Sequence, residues 1–242
     1  MTTSGTATYN PVRDVIVKGA LRLVGAYSSG DTPRAEQTAD AVEALELMFK
    51  EWQVEGFLWL KQFVYVSLVA AQSSYQIGPT STDLVHTDDG ATTDYLQRPT
   101  RIYTPTRLTT DGYESPLTMI TRADYSLLTN KANAGTVIQV YYDPQPNNGV
   151  LYVWPTPNTG VTDKIVLTVD RVMEDVGADD KTLYVPPEWL NAVKWGLAAR
   201  IAPEYGVNMS ERDRLGKEAE FLKDKASSHQ MENASTFFQP GR

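Results

Sequence analysis

The chain has 242 residues, 41% hydrophobic and 21% charged, which suits one large domain or two modest ones and excludes a disordered chain. It contains no cysteine, so disulfides and thiolate chemistry are excluded, along with the commonest structural zinc ligand. A formal net charge of −8 argues against a dedicated DNA-gripping surface, because neutralising phosphates takes clustered Lys and Arg.

The start, Met1 to Tyr9, is Thr/Ser-rich, lacks the pattern of a signal peptide and reads as a short flexible arm. Asn10-Pro11 signals the first helix, with Val12, Ile16, Ala20, Leu23 and Tyr27 on one face. Ser28 to Asp31 ends it, and Thr32-Pro33 opens a second helix. There Thr38, Val42, Leu45, Phe49 and Trp52 form the stripe, Glu46 and Lys50 pair at i,i+4, and Gly56 is the stop. The short connection predicts an antiparallel helical hairpin.

From about Gln62 the hydrophobic period changes to two. Val64, Val66 and Leu68 alternate, and Tyr75 and Ile77 repeat the pattern after a polar turn. Phe63 to Ala71, among the longest apolar runs, is far shorter than the roughly 20 residues of a membrane span. Ser81 to Asp94 is polar, acidic and Gly-containing and reads as an exposed loop or a small excursion. Strands resume near Arg101 to Arg107 and Ser115 to Ile120, then Thr121 with Asp124 caps a short helix to Leu128. Val137 to Tyr142, Val150 to Trp154 and Ile165 to Val172 predict a three-stranded meander, with its first turn at Asn147, Asn148 and Gly149.

Helix returns at Pro186-Pro187-Glu188-Trp189, with Leu190, Val193, Leu197 and Ile201 facing the core and Pro203 with Gly206 ending the segment. Asn208 with Glu211 opens the last helix, whose stripe is Leu215, Ala219, Leu222 and Ala226. The fold class expected is α+β: an antiparallel bundle of four long helices from both chain ends, with an inserted β-rich domain. Its expected divisions are 1–61 and 176–232 for the helical domain, 62–175 for the insert and 233–242 for a C-terminal arm.

No catalytic constellation stands out. His86 and His229 are the only imidazoles, and no nucleophile elbow or phosphate loop occurs. His86 lies near Asp83, Asp88 and Asp89, but the spacing lacks the alternating ligands of a calcium loop and reads as a solvated surface. No cofactor or metal is expected. Most of the five tryptophans, among them Trp52, Trp189 and Trp195, read as core, whereas Trp59 and Trp154 are candidates for a subunit boundary. Phe237 and Phe238 are two large apolar side chains in an otherwise polar tail, where exposure costs roughly 25 cal/mol per Å². They are the candidate partner-binding arm.

Several segments occur in a characteristic order: Arg13-Asp14-Val15-Ile16, Leu21 to Gly25, Ala39 to Leu45, Glu51-Trp52, Tyr75-Gln76-Ile77-Gly78, Arg98-Pro99, Pro116-Leu117-Thr118 and Leu151 to Pro157. The set resembles the tail accessory factors of short-tailed bacteriophages, head-to-tail adaptors also called packaged-DNA stabilisation proteins. The resemblance runs from about Pro11 to Ala226. It implies a ring of twelve subunits below the portal protein, closing the DNA exit channel and carrying a distal nozzle, needle or receptor-binding protein. DNA would pass through the lumen without sequence-specific binding. Beyond the stretch the resemblance covers, Phe237 and Phe238 are the candidate portal-binding arm. Two alternatives remain beside it, a tail nozzle or tube component and a cell-wall-degrading tail enzyme.

Overall fold

The computed structural model describes residues 9–28, 30–83, 85–87, 97–160, 162–177 and 181–228. Its helices are α1 (Arg13–Leu23), α2 (Ala35–Trp52), α3 (Arg122–Leu127), α4 (Leu190–Ile201) and α5 (Met209–Ser228). Its first six strands are β1 (Lys61–Ser67), β2 (Ser74–Ile77), β3 (Val85–Thr87), β4 (Arg101–Leu108), β5 (Glu114–Pro116) and β6 (Thr118–Met119). The others are β7 (Ala134–Gly135), β8 (Gln139–Asp143), β9 (Gly149–Trp154), β10 (Thr156–Pro157) and β11 (Lys164–Asp170). Two compact units result, one from residues 1–58 and 173–242, the other from 59–172.

In the first unit, α4 is the central helix and packs against α1, α2 and α5. All four residues of its predicted face are buried, and Trp189, in the 3-10 turn that leads into α4, is fully buried. Trp189 meets Trp52 edge-on at 6.1 Å and Phe57 at 4.4 Å between ring centroids, so one aromatic nucleus joins α2 to the start of α4. The buried face of α1 is Ile16, Val17, Ala20 and Leu21, rotated from the predicted stripe. The reason lies far along the chain. Val12 forms an antiparallel bridge with Thr182, and the Arg13 N–H donates to the Lys181 carbonyl at 2.8 Å. Residues 11 and 12 are thereby held extended, and the helix begins two residues late. The second helix keeps Leu45, Phe49 and Trp52 buried, and Lys50 lies 3.4 Å from Glu46. Gly56, at φ +73°, takes the left-handed conformation that ends this segment. Asn208 caps α5, its Oδ1 accepting from the Glu211 N–H at 2.9 Å.

The expected bundle of four long helices is not what forms. The chain is mixed α+β, with sheets as substantial as the helices and a fifth helix between the strands. α1 and α4 have only 11 and 12 residues. The bridge at Val12 shortens α1, and α4 loses its first turn to the 3-10 segment Pro187–Trp189. Pro203 and the positive-φ Gly206 then follow its last turn.

In the second unit, a five-stranded sheet of order β3-β1-β11-β4-β5 and a four-stranded sheet of order β2-β9-β8-β6 share one core. Val64 and Val66 of β1, Ile165, Leu167 and Val169 of β11, and Ile102 of β4 come from the larger sheet. Tyr75 and Ile77 of β2, Leu151 and Val153 of β9, and Val140 of β8 come from the smaller. Each set follows the period of two that sends alternate side chains inward. The predicted meander does not form as such. β8 and β9 make the hairpin, but β11 crosses to the other sheet and lies antiparallel between β1 and β4. β7, just before the hairpin in sequence, pairs in parallel with β10, just after it. The helix α3 is capped as predicted, with the Asp124 N–H donating to Thr121 Oγ1 at 3.2 Å and the Thr121 N–H donating to Asp124 at 3.3 Å.

Candidate functional site

The helical unit carries an open groove of about 310 Å³ between α2, α4 and α5. Met48 and Trp52 line it from α2, Gly196 and Ala199 from α4, and Gly216 and Ala219 from α5. Two of these positions are shaped by what a larger residue would do. A Cβ at Gly196 would lie 3.0 Å from the Trp52 ring and 3.1 Å from Met48 Sδ, so glycine lets the helices approach there. A Cβ at Gly216 would meet nothing within 4 Å, so that wall faces open space. Ion pairs form the rim. Arg200 lies 2.5 Å from Glu51 and, by hydrogen bond and charge, holds the Glu51 carboxyl below the ordinary range. Lys223 pairs with Glu55 and sits 5.1 Å over the Trp52 ring. Trp195, half-buried, lies beneath Arg214 at 5.8 Å rather than in the core.

The β unit carries an aromatic ledge that local pattern did not single out. Tyr141 and Tyr152 are direct partners across the β8–β9 hairpin and stack at 5.7 Å with 12° between their planes. Tyr125 of α3 packs on both, at 5.6 and 5.0 Å, and Lys131 Nζ lies 5.4 Å over its ring. Burial pushes the phenols of Tyr125 and Tyr141 upward, which keeps them neutral donors. The signal available in the sequence was the hairpin register, which places the two tyrosines opposite each other on one face. Nearby in sequence, Leu127 is 78% exposed and Met119 and Ile138 are exposed as well.

One sheet edge is sealed. On the side of β2 away from β9, the Gln76 N–H donates to Asp83 at 2.6 Å, and Ser81 Oγ donates to the Gln76 carbonyl at 2.6 Å. Gln72 Nε2 bridges the Ser74 carbonyl and Asp83 at 2.8 and 2.7 Å. These side chains occupy groups that another strand would otherwise use. Asp83 is therefore committed to the backbone of its own unit.

The residues singled out from sequence fall in separate places. Trp154 ends β9 half-buried, its Nε1 donating to the Asn130 carbonyl at 3.0 Å. Trp59 is half-buried in the 3-10 turn Leu58–Leu60 just before β1. Phe237, Phe238 and His229 lie outside the described residues, as do Asp88 and Asp89. His86 lies in β3 opposite Tyr65. Among the described residues no group of three His, Cys, Asp or Glu is placed to hold a metal ion. Likewise, no described helix is long and apolar enough to cross a membrane.

The groove and the aromatic ledge are surfaces of the kind that protein partners cover, whereas the sealed β2 edge is closed to strand pairing. The family model of the SU10 adaptor proteins matches residues 12–241, and the chain belongs to that family of phage head-to-tail adaptors. It is thus a viral structural protein of the virion neck. A search among curated proteins gives no match.

Proposed function

We propose that this chain forms a twelve-membered ring below the portal protein of a short-tailed phage. There it closes the DNA exit channel, retains the packaged genome and offers a platform to the distal tail protein. The observation that carries this reading is the family match over residues 12–241, together with the ordered segments that resemble the tail accessory factors. A cyclic ring needs two different complementary surfaces on each subunit. The groove of the helical unit and the aromatic ledge of the β unit are two such unlike surfaces. At −8 per chain, twelve copies carry roughly −96 formal charges, which favours a lumen along which DNA slides without sticking.

In this reading residues 233–242 are the portal-binding arm, with Phe237 and Phe238 as its anchors, and Trp59 and Trp154 lie at subunit boundaries. Ordering the arm on the portal would couple docking to assembly. The test is to mix purified chain with emptied, portal-bearing capsids and image the exit vertex. Twelve-fold density beneath the portal is expected, and an undecorated vertex overturns the reading. Deleting 233–242 should weaken docking at least tenfold while leaving the far-UV circular dichroism unchanged; unaltered affinity rejects the arm.

A further inference from the structure

We propose that Phe237 and Phe238 seat in the groove between α2, α4 and α5 of their own subunit, so that the segment after α5 is latched onto the helical unit until a partner takes it. The groove supplies the place. Met48 and Trp52 give it an apolar floor with Lys223 reaching over the Trp52 ring, Gly216 opens one wall onto free space, and its 310 Å³ is the size of a small binding pocket. Among the described residues no side chain fills it, and Gly216 faces space that a Cβ would leave empty.

The chain supplies the occupant. α5 forms one wall of the groove, from Gly216 to Lys223, and ends at Ser228. Phe237 lies nine positions beyond Ser228, a span that reaches about 30 Å when extended. The groove wall lies only about 8 to 18 Å back along the helix axis at 1.5 Å per residue. The reach therefore exceeds the need. A tethered segment also meets its own groove at an effective concentration of order millimolar, well ahead of a dilute second copy. The rings would cover the apolar floor. The ion pairs of Arg200 with Glu51 and Lys223 with Glu55 would stay at the wet rim beside the small and polar run Asn233 to Thr236.

This latch stands apart from what the arm binds in the virion. The chain has no cysteine, so a single engineered pair reads it cleanly. In the full chain, Gly216→Cys with Ser235→Cys should oxidise to an intramolecular disulfide, seen at monomer mass on a non-reducing gel. Its rate should fall at least tenfold when Phe237→Ser and Phe238→Ser are added. A rate indifferent to the rings, or cross-links only between chains, overturns the latch. A second arm avoids the disulfide: Gly216→Leu plugs the groove, and limited proteolysis after residue 228 should speed up at least tenfold with the helical content retained. Equal cleavage in the plugged and native chains overturns it too. Either failure leaves the portal reading to its own docking assay.

Discussion

Gly149→Ala is the sharpest test of how the β unit is packed. A Cβ on Gly149 would lie 2.0 Å from Tyr142 Oη and 2.4 Å from its Cε2, inside any allowed contact. The backbone has little room to retreat, because β9 is paired to β2 on one side and β8 on the other. Tyr142 must therefore leave its place on the inward face, where its hydroxyl donates to the Pro99 carbonyl at 2.7 Å. Burial holds that phenol far above its ordinary range, so the donor stays protonated at any working pH. Overpacking costs about 1 to 3 kcal/mol, and the lost hydrogen bond adds about 1 kcal/mol. Against this, replacing glycine returns about 0.4 to 1 kcal/mol through the unfolded chain. The net expectation is a loss of about 1 to 3.5 kcal/mol. Urea denaturation of the full chain, followed by near-UV circular dichroism, measures it. In a double-mutant cycle with Tyr142→Val the clash disappears, and a coupling of at least about 1 kcal/mol is expected. A Gly149→Ala chain within about 0.5 kcal/mol of wild type, or a strictly additive pair, would refute the packing argument.

Three further outcomes can be checked in the same way. Asp83→Ala leaves the Gln76 N–H without its acceptor and takes from the Gln72 amide one of its two, so stability should fall by about 1 to 2 kcal/mol, and sedimentation should show more self-association through the reopened β2 edge. Asn208→Ala removes the cap of α5, at about 1 kcal/mol in a denaturant titration; no change would mean the helix end is held by other contacts. The pair Lys50–Asp175 gives a pH signature. Burial lowers the Lys50 ammonium, but the hydrogen bond and charge of Asp175 outweigh it and the net shift is upward from 10.5, while Lys50 lowers Asp175 from 3.8. The support from Asp175 is present above about pH 4 and lost as pH falls through its depressed value; that from Lys50 persists until pH rises past 10.5. Because the Asp175 side chain is 82% exposed, Asp175→Asn should cost no more than about 0.5 kcal/mol at pH 7. The deficit should vanish once pH falls below the depressed value of Asp175, and a deficit that persists there contradicts the pairing.

Local periodicity identified elements better than partners. The face of α4 was readable because Leu190, Val193, Leu197 and Ile201 repeat at helical spacing and all four are buried. The rotation of α1 was not, since it follows from a bridge between Val12 and Thr182, far apart in the chain. The β-branched run from Ile165 to Val172 likewise marked a strand, but not that β11 would pair with β1 and β4 instead of continuing the hairpin. An alternating strand carries no local mark of its neighbour. Treating every helical stretch as long produced the four-helix bundle, because a Pro-rich start and a Pro-Gly stop each remove a turn that periodicity alone would grant. The site was less legible still. Trp59 and Trp154 stood out as single residues, whereas the groove at Trp52 arises from three helices and two glycines that only the folded chain assembles. The family was legible from ordered segments spread between Arg13 and Pro157.

The route by which the backbone enters and leaves the β unit has a wider consequence. Lys61 and Asp170 face each other in adjacent strands, and the Arg171 N–H donates to the Leu60 carbonyl at 3.0 Å. Entry and exit are thus stitched side by side. A segment whose two ends already touch can be lengthened, trimmed or exchanged at little entropic cost to the part that hosts it. The β unit is thereby a cassette plugged in at one socket, and the course of the helical unit's backbone does not depend on what the cassette contains.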